Sequence, residues 1–99
     1  MATKKHKGAT LALRIEGEMT IYRAAELKAV LLDAIDAQST PELDLSGVVE
    51  IDTAGVQLLM MSRRAAEAKA KPLKIIARSD KVASTLALLG LQELLEPAK

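Results

Sequence analysis

The chain contains no cysteine, tryptophan or phenylalanine, and it has one tyrosine (Tyr22) and one histidine (His6). Each shortage removes a class of function. Without thiols there are no disulfides, no thiol redox chemistry and no thiolate zinc site. A lone histidine in the polar first segment leaves no His-based metal site and no Ser-His triad. Aromatics at 1% provide no stacking platform for single-stranded nucleic acid. A net charge of +1 creates no global field that would draw nucleic acid or a membrane surface. No apolar run approaches the ~20 residues of a bilayer span, and Met1 to Gly8 is basic and polar, without the apolar centre of a signal peptide. The compartment these features imply is the cytoplasm.

What is present is aliphatic: 49% of the 99 residues are apolar, enough for one small core of Leu, Ile, Val and Ala. Residues 1–8 read as a flexible arm and residues 9–96 as one domain. Leu11, Leu13 and Ile15 alternate with Ala12, Arg14 and Glu16, the pattern of a strand with one buried face. Gly17-Glu18 reads as a turn, with Met19-Thr20-Ile21 returning as a short hairpin partner. Arg23 to Ala37 places Leu27, Val30, Leu31, Ala34 and Ile35 on one helical face, and Pro41 follows its end. Leu43 to Leu45 reads as a strand broken by Ser46-Gly47. Ala54 to Lys69 is a helix, Leu73 to Ala77 a strand apolar on both faces as in a sheet interior, and Ser79 the N-cap of a last helix closed by Gly90. Leu91 to Leu95 adds a short apolar end. Helical crossovers impose parallel pairing, and the initial hairpin makes the sheet mixed.

The chain is organised around Leu43 to Val56, where a strand runs through Ser46-Gly47 and Asp52-Thr53-Ala54-Gly55 into a helix start. In its plain structural role Thr53 is the helix N-cap. A helix N-terminus also favours added negative charge, because its first N–H groups are unpaired and its dipole is positive there. Catalysis is not indicated: no histidine lies near Thr53, Glu50 and Asp52 read as solvated loop charges, and no phosphate-cradling glycine loop is present. No cofactor or metal is called for. The helix that follows is apolar almost all round, from Val56 through Met60 and Met61. Two apolar faces need two partners: one is the sheet, and the other is a neighbouring helix or another protein, a weak homodimer included.

The succession strand, Leu45-Ser46-Gly47-Val48, Ile51-Asp52-Thr53-Ala54-Gly55-Val56, helix resembles the signature of the STAS domain, the family of bacterial anti-sigma-factor antagonists and of domains in anion transporters. The resemblance covers about Leu11 to Leu95. It implies an α/β fold with a mixed sheet of four to five strands and helices mainly on one face. It also implies a non-enzymatic protein-binding module whose phosphoacceptor is Thr53, and whose partner is an anti-sigma factor that is usually also the serine/threonine kinase. The partner surface it implies comprises Glu50, Asp52, Thr53, Ala54, Gly55, Gln57, Met60 and Met61, with side-chain-free Gly55 letting a partner backbone approach. Two other roles fit the resemblance. One is an accessory subunit of a lipid-transport ABC complex or a chemotaxis-type pathway, where threonine in place of the common serine is equally at home. The other is a small-molecule or nucleotide sensor.

Overall fold

Leu13 and Ile15 are buried, and so is Ala12 just before them, because the strand that carries them lies inside the sheet. The structure, a computed structural model, describes residues 2–7 and 10–96, with side chains from Ala12 onward. Strand β2 (Thr10–Met19) pairs antiparallel with β1 (Ala2–Lys7) on one side and parallel with β3 (Glu42–Ile51) on the other; β4 (Lys74–Arg78) is parallel to β3, giving the order β1-β2-β3-β4. Between β2 and β3 come a 3₁₀ turn (Ile21–Arg23) and α1 (Ala24–Ala37). Helix α2 (Thr53–Ala68) joins β3 to β4, and α3 (Asp80–Leu88) with a second 3₁₀ turn (Gln92–Leu95) ends the described chain. The mixed α/β sheet of four to five strands expected from the sequence is therefore present, with four strands.

Several local expectations are corrected. The arm at 1–8 is not free of structure: residues 2–7 form an edge strand in register from Ala2↔Ile15 to Lys7↔Thr10. Backbone pairing requires no apolar alternation, and lysine-rich edges discourage further pairing, so such a strand is hard to distinguish from a tail. Gly17 does not turn a hairpin. It has φ +83 inside β2, at an irregularity where Gly17 and Glu18 face Val48 and Glu50. An extra residue on β3 and a left-handed glycine opposite it absorb the twist as a bulge. The same device carries β3 through Ser46-Gly47, where a second shift lies between Arg14 and Glu16, so the strand continues to Ile51 instead of stopping at Leu45. β4 is a sheet edge, not an interior strand; Ile75 and Ile76 are half-buried.

One apolar cluster joins Leu13, Ile15, Met19, Leu43, Leu45, Val48 and Ile51 of the sheet to Leu27, Leu31 and Ile35 of α1, Val56 and Leu59 of α2, and Val82 and Leu86 of α3. The three helices thus share one face of the sheet. Each fully buried Leu or Ile contributes about 1.5–3 kcal/mol relative to an exposed one, so this cluster holds the fold without aromatics. The second apolar side of α2 is met within the chain, by α1 and by the Gln92–Leu95 turn, to which Arg63 Nη1 donates at Glu93 O (2.8 Å) and Glu96 O (2.9 Å). The other sheet face carries a polar network. Arg14 bonds Glu16 (2.7 Å), Asp44 (3.1 Å) and Ser46 (2.8 Å), and Ser46 donates its N–H (2.9 Å) and hydroxyl (2.6 Å) to Asp44. Burial pushes the Asp44 carboxyl up, but the Ser46 bonds and the Arg14 guanidinium outweigh it and hold it at about 2. Ser79 caps α3 as expected, accepting from Val82 N at 3.2 Å. Gly90 (φ +71) closes α3 with bonds from its N–H to Ala87 O (3.1 Å) and from Leu91 N–H to Leu86 O (2.8 Å), the Schellman pattern.

Candidate functional site at the start of the second helix

β3 delivers the chain to the N-terminus of α2 beside the end of β2, with Met19 opposite Ile51. Asp52 leaves the strand in an extended conformation (φ −119, ψ −171). Its N–H donates to Met19 O (3.2 Å), its C=O accepts the first helical bond from Val56 N (3.0 Å), and its Oδ1 accepts from Gly55 N (3.1 Å). Asp52, not Thr53, is therefore the N-cap: a carboxylate at this position satisfies the N–H three residues on. The second oxygen, Oδ2, accepts from Ile21 N at 3.0 Å and ties the 3₁₀ turn to the helix start. The Ile21 N–H holds the Asp52 carboxyl below its ordinary range; partial burial opposes this, and the helix N–H groups add to it.

Thr53 is consequently the first residue of the helix, exposed and with no part in the cap. Gly55 points the other way. It is buried, and a Cβ there would run into the carbonyl oxygen of Met19 and lie 2.8 Å from Ile51 Cγ1. The close approach that glycine permits is that of the protein's own β2, not of a partner, so Gly55 leaves the candidate surface. Glu50 is exposed at the end of β3, opposite Glu18 of β2; these two and Asp52 make the sheet side of the Thr53 turn acidic. Ala54, Gln57 and Met61 line a shallow groove of ≈ 380 Å³ together with Ile21, Ala24, Ala25, Lys28 and Leu58. Met60 does not line it and is half-buried against the core. The structure thus brings together Asp52, Thr53, Ala54, Gln57 and Met61 of the expected set, with Glu50 at the rim. It adds a part of the surface that the sequence did not indicate: Ile21 and Tyr22 are 63% and 89% exposed on the 3₁₀ turn beside Asp52. Their only sequence signal was two large apolar side chains next to Thr20 and Arg23, which read equally well as a strand.

A family model described as Mlab, STAS domain matches residues 2–96 of the chain. The chain belongs to the STAS domain family. Solved structures of the STAS fold superpose on it closely. The anti-sigma factor antagonist SpoIIAA of Bacillus in its phosphorylated form is 21% identical, with TM-score 0.68 over 92% of this chain and 85% of that one. The Thermotoga maritima protein tm1081, regarded as an anti-sigma factor antagonist, is 19% identical, with TM-score 0.78 over 93% and 80%. A sulfate transporter family protein from Wolinella succinogenes is 25% identical, with TM-score 0.65 over 85% and 69%. No curated protein sequence matches at a significant level. Among the described residues no helix is long and apolar enough to cross a membrane.

Proposed function

We propose that this STAS domain is a non-enzymatic, cytoplasmic protein-binding module. It docks a partner of the anti-sigma factor type through the Thr53 turn and the adjoining groove, and phosphorylation of Thr53 by that partner or another serine/threonine kinase releases it. The observation that carries the reading is the division of labour at the helix start: Asp52 makes the cap, leaving Thr53 exposed at the first helical position. A phosphate there adds about −1.5 to −2 charges where the helix dipole and the first-turn N–H groups stabilise an anion, so the fold survives. A partner packed on Ile21, Ala54 and Met61 would meet that charge beside Glu50 and Asp52, already acidic. The same fold in SpoIIAA exists in unphosphorylated and phosphorylated forms, which supports a switch at this kind of domain.

A second reading is constitutive docking of the same face, as an accessory subunit of a larger complex. The family model's description as Mlab, STAS domain, rather than as an anti-sigma factor antagonist, favours it. The experiment that separates the two uses the chain as bait in extracts of its own cell, as wild type, Thr53→Ala and Thr53→Glu. The switch requires a partner held by the first two and bound at least about tenfold more weakly by the third (about 1.4 kcal/mol), with phosphate mass on Thr53 after incubation with the captured partner and ATP. Equal capture by all three without added phosphate leaves constitutive docking.

A further inference from the structure

We propose that the Asp52 carboxylate couples charge at Thr53 to the Ile21–Arg23 turn, so that modifying the threonine frees a second piece of surface distant in sequence. This rests on the reading of Thr53 as the modified residue. Asp52 uses both oxygens across two elements: Oδ1 takes Gly55 N–H at 3.1 Å and Oδ2 takes Ile21 N–H at 3.0 Å. The 3₁₀ turn has no local side-chain cap, since Thr20 makes no such bond, and its first N–H is satisfied by this carboxylate at the end of β3. The back of the turn is held independently, by Arg23 Nη1 donating to Glu16 O (2.8 Å) and Glu18 O (2.6 Å) around Gly17. Only the front, with Ile21 and Tyr22 exposed, depends on Asp52.

A phosphate on Thr53 and the Asp52 carboxylate compete for the same N–H groups at the start of α2, and like charges at neighbouring positions disfavour each other. The phosphate has more charge and three acceptor oxygens, so it takes the helix N–H groups and the carboxylate turns away. The helix keeps a cap; Ile21 N–H loses its acceptor. The turn then moves about its Arg23 anchor, and the apolar pair Ile21 and Tyr22 leaves the geometry it has beside the groove.

The test is residue-resolved amide exchange on the full chain as wild type, Thr53→Glu, Thr53→Gln, Asp52→Asn and Asp52→Asn/Thr53→Glu. In Thr53→Glu the Ile21 amide exchanges about tenfold faster, the scale of one charge-assisted hydrogen bond, while the Leu43 and Leu45 amides of β3 keep their protection. Thr53→Gln, equal in bulk and uncharged, exchanges as wild type. Asp52→Asn speeds Ile21 exchange by itself, and Glu at position 53 then adds nothing. Tyr22, the only aromatic residue, gives an independent signal, its fluorescence anisotropy falling in Thr53→Glu alone of the two position-53 variants. Unchanged Ile21 exchange in Thr53→Glu, or equal acceleration in Thr53→Gln, overturns the coupling. None of these arms needs a kinase or a partner, so their failure is distinct from failure of the binding test at Thr53.

Discussion

Gly55→Ala is the substitution on which the geometry of the site is most exposed to refutation. Read from sequence, it is harmless or favourable, since alanine exceeds glycine in helix propensity by about 1 kcal/mol. The structure reverses the sign. The added Cβ meets the Met19 carbonyl oxygen, lies 3.0 Å from the carbonyl carbon and 2.8 Å from Ile51 Cγ1. The principal obstacle is backbone, and that carbonyl also accepts the Asp52 N–H at 3.2 Å. It cannot retreat without loosening the bond that docks the helix start on β2. Overpacking a tight site costs about 1–3 kcal/mol, and an obstacle that is backbone places this case at the upper end, about 2–3 kcal/mol after the propensity gain. In a domain of this size that lowers Tm by about 10–20 °C. Urea unfolding at unchanged m-value is the assay, with Ala54→Gly as the neighbouring control that measures the propensity contribution alone. Gly55→Ala as stable as wild type, or more so, would refute the close packing of α2 on Met19.

Gly90→Ala isolates backbone strain, because its Cβ would meet nothing within 4 Å while φ stays at +71; a loss of about 1–2 kcal/mol in thermal or urea unfolding is expected, and no loss would mean the Schellman turn is not the native end of α3. The Asp44 carboxyl is depressed from 3.8 to about 2, so the stability it contributes is complete above its unfolded value and is lost as pH falls through the folded one. Acid titration of stability should therefore show a shallower limb between those values in Asp44→Asn, though not a flat one, because Glu16, Asp36 and Asp52 are depressed as well. Removing residues 1–8 strips β2 of its antiparallel neighbour and should lower Tm by at least about 4 °C, the shift that about 1 kcal/mol produces in a small domain; an unchanged melt would mean that the β1 pairing adds nothing to stability.

The helices, the parallel crossovers and the position of the Thr53 turn were legible because they rest on short-range signals: period in Leu27, Leu31 and Ile35, a cap at Ser79, glycine at 90. The sheet's edges and bulges were not. A bulge and a hairpin turn use the same residues, and Gly17 becomes one or the other according to what lies beside it, here Val48 of β3. An edge strand such as β1 has pairing partners on one side only and tolerates a sequence that resembles a tail. At the site, the sequence located the turn and misassigned its parts. Which of Asp52 and Thr53 caps depends on one residue of helix register, and whether Gly55 faces a partner or β2 depends on the path of Met19, 36 positions earlier.

That division within Asp52-Thr53-Ala54-Gly55 leads to a last prediction. Four consecutive residues do four different things: one bridges two elements through its carboxylate, one is exposed, one lines the groove, one passes beneath Met19. Stability and partner affinity should therefore run in opposite order along the motif. Thr53→Ala removes no cap and should lie within about 0.5 kcal/mol of wild type, the usual range for a surface change; Ala54→Gln, half-exposed at the groove, should be equally mild. Asp52→Ala leaves Gly55 and Ile21 N–H without their acceptor and should unfold more readily, and Gly55→Ala most readily of all. Among variants still folded, measured against the captured partner, the order inverts. Thr53→Glu and Ala54→Gln should weaken binding with little change in melting, while Gly55→Ala, assayed well below its own Tm, should bind nearly as wild type because its side chain lies inside. A Gly55→Ala protein that melts normally and fails to bind would place that glycine back on the surface and overturn the assignment of all four positions.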